Sequence, residues 1–198
     1  MTQIDGAPRL ILDIGNVLVD HDNAVLAERL ARLLGVRDPP RLLAAFYESG
    51  LGAGRAHPEK VYLDLAARLG APADRTAFRH VWSSHFTPKP DMLAFARDYA
   101  ARATLALCSN TDPVHWAFLC ENLALDRLCP AVLSHECGIE KPDAEIYLLA
   151  AQALDAAPED CLFVDDKAAN VEGARAVGMR AHLFTGLDGL RAALNTQA

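Results

Sequence analysis

Short apolar runs alternate with longer helical patterns along most of this chain. The predicted strands cover Arg9 to Leu12, Thr104 to Cys108, Ala131 to Leu133, Cys161 to Val164 and Ala181 to Phe184. The predicted helices between them cover Asp91 to Ala101, Val114 to Leu123, Asp143 to Leu154 and Ala168 to Val177. This alternation predicts an α/β fold, a Rossmann-like and mainly parallel sheet with helices on both faces.

Residues 19–87 interrupt the alternation, because they contain helical patterns and no convincing strand. Glycine and proline separate four predicted helices, Ala24 to Leu34, Arg41 to Ser49, Pro58 to Leu69 and Asp74 to Ser83. We interpret this segment as a helical cap inserted after the first strand. Residues 1–18 and 88–198 would then form the α/β core, and residues 19–87 the cap domain.

Composition narrows the class of partner. The chain has 198 residues and a formal net charge of -7, which argues against nucleic acid or an anionic membrane as the main partner. A small phosphorylated ligand stays possible, since a metal or a lysine can reverse the potential in one cleft. The 5 cysteines are odd in number and include no C-x-x-C pair, which favours reduced thiols. No signal pattern or membrane-length apolar run occurs, so we expect a cytoplasmic protein.

Polar residues with candidate chemistry follow the first two predicted strands. Asp13 lies where open α/β sheets bind ligands, and it could attack an electrophile or hold a cation. An aspartate there is also a common turn or cap residue. Ser109, Asn110 and Thr111 offer hydroxyl, amide and backbone donors that suit an anion such as phosphate. An ordinary turn into the next helix would explain them equally well.

A lysine and an acid pair come later in the chain. Pro142 restricts Lys141 to an extended backbone and can begin the following helix. The ammonium could neutralise a carboxylate together with a phosphoryl group, or simply face solvent. Asp165 and Asp166 end the fourth predicted strand, with Asn170 four residues further on. Two adjacent acids repel each other, and Mg²⁺ would relieve the repulsion, unless one acid only caps the next helix.

The local strings resemble those of a known family. DIGNVL, LCSN, EKPDAEIY and LFVDD, in this order and with Asn170 after the last, resemble the haloacid dehalogenase superfamily over nearly the whole chain. The glycine–asparagine pair after the first aspartate resembles the phosphatase branch typified by α-D-glucose-1-phosphate phosphatase. The helical insertion is similar to the cap of that superfamily. The resemblance implies a phosphoric monoester hydrolase that acts on a small phosphorylated substrate.

The resemblance also implies a role for each matching residue. Asp13 would be the nucleophile that forms an aspartyl-phosphate, which water then hydrolyses. The implied cofactor is Mg²⁺, bound by Asp13, by the backbone oxygen of Gly15 and by the acid pair. Within that pair Asp166 is favoured as the direct ligand, with Asp165 in direct or water-mediated support.

The remaining implied roles concern the phosphoryl group. Ser109 and the backbone of Asn110 would hold the phosphoryl oxygens. Lys141 would balance charge between the nucleophile and the transferring group. These roles agree with the general requirement of phosphoryl transfer for positioning and charge neutralisation.

Gly15 departs from the pattern of the superfamily, in which most phosphatases carry an acid/base aspartate at this position. Three consequences are open. The leaving group could be stable as an anion, such as the hemiacetal oxygen of a sugar 1-phosphate. Asp20, His21 or Asp22 could supply the proton, although hinge and helix-cap roles explain these residues as well. Finally, the protein could be a slow enzyme or a catalytically inactive binding or regulatory protein.

A 2-haloacid dehalogenase is the main enzymatic alternative. That branch also lacks the second aspartate and uses a similar serine–asparagine pair and lysine. Its chemistry needs no metal, however, and a serine pair tends to stand where Asp165 and Asp166 stand here. The acid pair therefore favours a phosphatase.

Substrate choice is expected to depend on the cap. The segment 48–57 is rich in glycine and carries Arg55 and His57. It could be a mobile loop that faces the nucleophile, with these two residues setting specificity, or a plain connection between helices. Our hypothesis for the substrate is a small phosphorylated metabolite such as a sugar phosphate.

Overall fold

The computed structural model describes residues 8–195, and its centre is a parallel sheet. The described strands are β1 (Arg9–Leu12), β2 (Val19–His21), β3 (Phe86–Pro88), β4 (Leu105–Ser109), β5 (Ala131–Leu133), β6 (Cys161–Asp165) and β7 (Arg180–Leu183). Five of them form one sheet in the order β5-β4-β1-β6-β7, with every neighbouring pair parallel. The predicted α/β fold is confirmed.

Helices cover both faces of the sheet and fill the insertion. The described helices are α1 (Asn23–Leu34), α2 (Pro39–Glu48), α3 (Pro58–Leu69), α4 (Arg75–Ser83), α5 (Pro90–Ala100), α6 (Pro113–Leu123), α7 (Ser134–Cys137), α8 (Ala144–Gln152), α9 (Ala168–Ala176) and α10 (Leu187–Asn195). Short 3₁₀ turns lie at Leu125–Arg127 and Pro158–Asp160.

The central strand β1 is apolar on both sides because it is covered on both sides. Leu10 and Leu12 pack in one cluster with residues of α5, α6 and α10, whereas Ile11 packs in another with residues of α8 and α9. All three side chains are fully buried. Since β1 lies between β4 and β6, its carboxyl end opens between the ends of those two strands.

The structure corrects several predicted boundaries. Ser109 and Asp165 are the last residues of their strands and not the first residues after them. The helix after Lys141 begins at Ala144, with Asp143 at its N-cap position, so Pro142 does not begin it. The expected strand-free insertion is bounded by β2 and β3, which at 3 residues each are too short to show a period.

Helices α1 to α4, within residues 22–84, form what we call the cap. Their shared cluster is separate from the clusters on the sheet and centres on four fully buried aromatic residues, Phe46, Tyr62, Phe78 and Trp82. The chain enters and leaves the cap through the antiparallel ribbon β2–β3, in which Val19 pairs with Pro88 and His21 with Phe86. The division into two domains stays a prediction, and its ends, residues 1–7 and 196–198, lie outside the described part.

All five cysteines are free thiols in the structure. Among residues 8–195, none of the helices combines the length and the apolar character that crossing a bilayer requires. The cytoplasmic location stays a prediction.

Candidate active site

The predicted site residues at the strand ends meet around one buried ammonium group. Lys141 Nζ lies 2.9 Å from Asp13 Oδ1 and 2.6 Å from Asp165 Oδ2, and it also donates to the carbonyl of Cys108 at 2.9 Å. The backbone N–H of Asp13 donates a hydrogen bond of 2.9 Å to the carbonyl of Val164 in β6. The sheet therefore brings an acid, a lysine and a second acid together from positions far apart in the sequence.

Burial and charge act in opposite directions on these groups. Burial raises the pKa of Asp13, and the neighbouring Lys141 ammonium offsets this only in part. Burial alone would lower the pKa of Lys141, but the carboxylates of Asp13 and Asp165 raise it above its ordinary value. Lys141 is thus held in its charged form, and a further cation near Asp13 would favour the ionised carboxylate.

The two acids of the pair are used differently. Both oxygens of Asp165 are occupied: Oδ1 accepts from the Lys167 backbone at 2.9 Å, and Oδ2 accepts from Asn170 Nδ2 at 2.9 Å in addition to Lys141. Asp166 Oδ2 accepts from Asn16 Nδ2 at 2.8 Å, whereas its buried Oδ1 has no partner.

The free oxygen of Asp166 provides a test of whether these residues fit Mg²⁺. One carboxylate oxygen from each of Asp13, Asp165 and Asp166 lies within 4.8 Å of the others. Three anions this close are repulsive without compensation, and carboxylate oxygens are ligands that Mg²⁺ prefers. The donor set therefore fits a divalent cation, with Asp166 as the carboxylate that still has an oxygen free to ligate it.

The segment after β4 combines a free hydroxyl with a rigid backbone. Ser109 is buried and lines the central pocket. The Asn110 amide forms two bonds to the backbone of Lys141, accepting from its N–H at 2.8 Å and donating to its carbonyl at 2.9 Å. The N–H of Thr111 donates to Ser134 Oγ at 3.0 Å. The Asn110 side chain therefore fixes Lys141. The backbone of Asn110 is the part of this residue that stays available to a phosphoryl group.

The space next to Gly15 is occupied by a histidine ring. A Cβ at Gly15 would lie 3.1 Å from two ring atoms of His21, which also lines the pocket. The other two candidate proton donors are used elsewhere, because Asp22 caps α1 and Asp20 forms an ion pair with Lys89. Of the three candidates, only His21 lies at the pocket.

The pocket above these residues has a volume of about 260 Å³. The cap contributes Tyr47, Leu51 and Gly52 to its lining, and the core contributes Glu140. At the neighbouring Gly54, a Cβ would collide with the backbone carbonyl of His135, so glycine permits the close approach of the cap to the core.

Arg55 and His57 are not among the described residues that line this pocket. Arg55 packs against Gly50, and His57 Nδ1 accepts from the backbone of Glu59 at the start of α3. His57 lines a different cavity, of about 690 Å³, between α4 and α6. The structure therefore does not bring the two predicted specificity residues to the candidate active site.

Three residues of the site had no role predicted from the sequence. Asn16 holds Asp166, Ser134 holds Thr111, and the Lys167 backbone holds Asp165. Asn16 has a positive φ of 56°, which asparagine tolerates better than most residues, so its place after a glycine was an available signal. Ser134 had no such signal, because its role depends on a contact between two segments.

With this geometry in place, comparison with known proteins assigns the family. A model of the haloacid dehalogenase-like hydrolase family matches residues 79–178, half of the chain. The chain belongs to this family of hydrolases, which confirms the predicted superfamily and the prediction of an enzyme. The resemblance to the glucose-1-phosphate phosphatase branch stays a prediction.

Two relatives illustrate the similarity in sequence. A phosphatase of Mycobacterium tuberculosis is 40% identical over 106 residues, which is 47% of this chain and 49% of that protein. The chain thus matches only about half the length of this relative. A D-ribitol-5-phosphate phosphatase of Bacteroides thetaiotaomicron is 25% identical over 185 residues, 85% of this chain and 87% of that protein.

Two solved structures illustrate the similarity in fold. The magnesium complex of a HAD family enzyme from Bacteroides thetaiotaomicron has a TM-score of 0.81 at 21% identity, over 93% of this chain and 96% of that one. The L-2-haloacid dehalogenase of Xanthobacter autotrophicus, solved with chloropropionic acid covalently bound, has a TM-score of 0.58 at 20% identity, over 94% of this chain and 82% of that one. At such identities the likeness shows the fold alone.

Proposed function

We propose that this chain is a Mg²⁺-dependent phosphatase that hydrolyses a small phosphorylated metabolite through an aspartyl-phosphate on Asp13. One observation carries the proposal. The Lys141 ammonium lies between Asp13 and Asp165, and the buried Oδ1 of the next residue, Asp166, has no partner. The phosphatase names of two relatives and the magnesium complex of a structural neighbour support it.

The residues suggest a two-step displacement. A carboxylate oxygen of Asp13 attacks phosphorus while the bond from phosphorus to the leaving oxygen breaks. Water then attacks the phosphorus of the aspartyl-phosphate, which releases phosphate and regenerates the Asp13 carboxylate. Lys141 holds one oxygen of Asp13 and keeps positive charge beside the incoming group, and Ser109 offers a hydroxyl donor. Bound Mg²⁺ would neutralise the negative charge that accumulates during the approach.

The pocket and Gly15 restrict the substrate. About 260 Å³ is small for a ligand site, so the leaving group is expected to be a small one. Gly15 has no side chain that could protonate the leaving oxygen. A sugar phosphate whose leaving oxygen is stable as an anion, such as a sugar 1-phosphate, would suit both restrictions.

The acid pair also argues against dehalogenase chemistry. Asp166 keeps an unpaired buried oxygen, and one of its carboxylate oxygens lies within 4.8 Å of one from Asp13. A substrate carboxylate that enters this site without a metal would meet uncompensated negative charge. When the substrate is a phosphate ester bound together with Mg²⁺, the cation compensates this negative charge. The same geometry thus favours the phosphatase over the dehalogenase.

The test compares the two reactions directly. We expect the purified chain to hydrolyse p-nitrophenyl phosphate and some sugar phosphates with Mg²⁺, and to lose this activity in EDTA. Halide release from 2-chloropropionate in EDTA would instead support the dehalogenase. If no ester in a broad panel of sugar, nucleotide and aryl phosphates is cleaved above background, the protein is a binding or regulatory member of the family.

The two acids are predicted to differ in mutants. Asp166→Asn should raise the Mg²⁺ concentration for half-maximal activity by about 100-fold, because the free ligand oxygen is lost. Asp165→Asn should instead lower the melting temperature, since the amide keeps only one of the two acceptor oxygens and removes the negative charge that faces Lys141. Calorimetric Mg²⁺ titrations and thermal melts separate the effects. The reverse pattern would show that Asp165 is the direct ligand.

A further inference from the structure

A single buried carboxylate, Asp112, connects the cap to the core just beyond the segment 109–111. Its Oδ2 accepts from the indole Nε1 of Trp82, in cap helix α4, at 3.0 Å. The same oxygen lies 2.8 Å from Nδ1 of His115. Its Oδ1 caps core helix α6 by accepting from the backbone of Val114 at 2.9 Å and of His115 at 3.0 Å.

His115 completes the connection from the core side. Its Nε2 lies 2.9 Å from the backbone carbonyl of Trp82, and its ring stacks on the indole at a centroid distance of 5.2 Å and an angle of 10°. A carbonyl and a carboxylate are both acceptors, so each ring nitrogen of His115 faces an acceptor for a ring N–H. Trp82, Asp112 and His115, which we call the Asp112 bridge, thus form a closed polar unit.

The charges around the bridge are consistent with this arrangement. Burial by itself would raise the pKa of Asp112, but the charge of His115 and the hydrogen bonds that Asp112 accepts lower it below its ordinary value. His85 packs 5.1 Å from the His115 ring, and burial together with the charges of His115 and His21 lowers the pKa of His85 to about 3. His85 is therefore neutral at pH 7, and His115 is the ring that faces Asp112.

The bridge is placed where it can determine the position of the cap over the site. The cap joins the core covalently only through the two strands of the β2–β3 ribbon, which leaves its orientation to non-covalent contacts. Tyr47 and Leu51, which line the pocket, belong to the same cap as Trp82. A displacement of Trp82 from Asp112 would therefore move the substrate-facing wall of the pocket.

We propose that Asp112 and His115 are positioning residues that hold the cap closed over the active site through Trp82, and so determine substrate affinity. Asp112 and His115 line the same pocket as Asp13 and Lys141. Their hydrogen bonds go to Trp82, to Val114 and to each other, and not to Asp13, Lys141 or Ser109. Loosening the bridge should accordingly raise KM with little change in kcat. The kinetic part of this inference rests on the proposed function, but the closed position of the cap does not.

Asp112→Asn is the central variant, because asparagine is as good an N-cap as aspartate but presents an amide donor to Trp82 or His115. Asp38→Asn, the same change at the exposed N-cap of α2, is the matched control. In a Trp116→Phe background Trp82 is the remaining tryptophan, and its fluorescence reports the stacked His115 ring. We expect Asp112→Asn, but not Asp38→Asn, to relieve quenching by that ring.

Hydrogen exchange and kinetics provide the other readouts on the full chain with Mg²⁺. We expect exchange in α4 to accelerate about tenfold in Asp112→Asn, and KM for p-nitrophenyl phosphate to rise about tenfold at nearly constant kcat. Trp82→Phe removes the indole donor together with part of the buried ring, and keeps an aromatic side chain. It should reproduce both effects if Asp112→Asn does not fold.

The outcomes separate this inference from the proposed function. If wild type hydrolyses no phosphate ester, the proposed function fails, and fluorescence and exchange still decide whether the bridge closes the cap. If fluorescence, exchange and KM of Asp112→Asn match those of Asp38→Asn, and exchange and KM of Trp82→Phe match them too, the bridge does not hold the cap and the inference is overturned. A fall in kcat at constant KM would equally overturn it.

Discussion

Replacement of Asp13 by asparagine is expected to abolish phosphatase activity, with a loss of at least about 10⁴-fold in kcat. An amide has no anionic oxygen to attack phosphorus, and it removes a negative charge that faces the proposed cation. Lys141 should stay in place, because Asp165 still accepts from it at 2.6 Å. The measurement is steady-state hydrolysis of p-nitrophenyl phosphate, with single-turnover trapping of the phosphoenzyme in wild type.

Asp20→Asn is the control for Asp13→Asn, because it makes the same chemical change at an exposed residue of the ribbon, paired with Lys89. This variant should keep nearly full activity. Thermal melts should show both variants folded. If folded Asp13→Asn turns over at a rate near that of wild type, Asp13 is not the nucleophile and the proposed mechanism is wrong.

The second large effect concerns the acid that Gly15 lacks. Gly15→Asp alone is expected to gain little, because the new side chain would meet the His21 ring at 3.1 Å. Gly15→Asp combined with His21→Ala gives the carboxyl group room. Proton transfer to the leaving oxygen contributes about 10²–10⁴-fold where it is available. The double variant should therefore accelerate alkyl phosphate hydrolysis far more than aryl phosphate hydrolysis, since an aryl oxide leaves readily without a proton.

The ratio of alkyl to aryl phosphate turnover, measured in wild type, both single variants and the double variant, checks this prediction. His21→Ala alone is the matched control for the space that the ring vacates. An unchanged ratio in the double variant would show that protonation of the leaving group does not limit the native protein. A selective loss of alkyl turnover in His21→Ala alone would show that this ring moves the proton.

The sequence by itself determined the architecture and the chemistry of the strand ends. Apolar runs such as Leu10 to Leu12 must be buried on both faces. Their alternation with helical patterns is typical of a parallel sheet with helices on both faces. Asp13, Ser109 and Asp165 then share one edge of the sheet, because parallel strands end on the same side. The sequence does not fix the residue at which each strand ends, since hydrophobic periodicity and composition change gradually there.

Only the tertiary structure decided which group each side chain serves. The residue pattern alone does not distinguish Asp165 from Asp166, and the preference for Asp166 as the direct ligand came from the family resemblance. In the structure Lys141 and Asn170 occupy an oxygen of Asp165, whereas an oxygen of Asp166 is unpaired. Arg55 and His57 had a suitable composition for a substrate loop, yet the packing of the cap directs them elsewhere.

The Asp112 bridge shows the same limit most clearly. Asp112 precedes a proline in the sequence, and in the structure it caps α6. Its second role, as the acceptor for the indole of Trp82, depends on a residue 30 positions earlier in the chain. No local sequence pattern predicts a contact over that separation. Hydrophobic periodicity is a local property that fixes elements and their buried faces, whereas hydrogen bonds between elements depend on the orientation in which those faces pack.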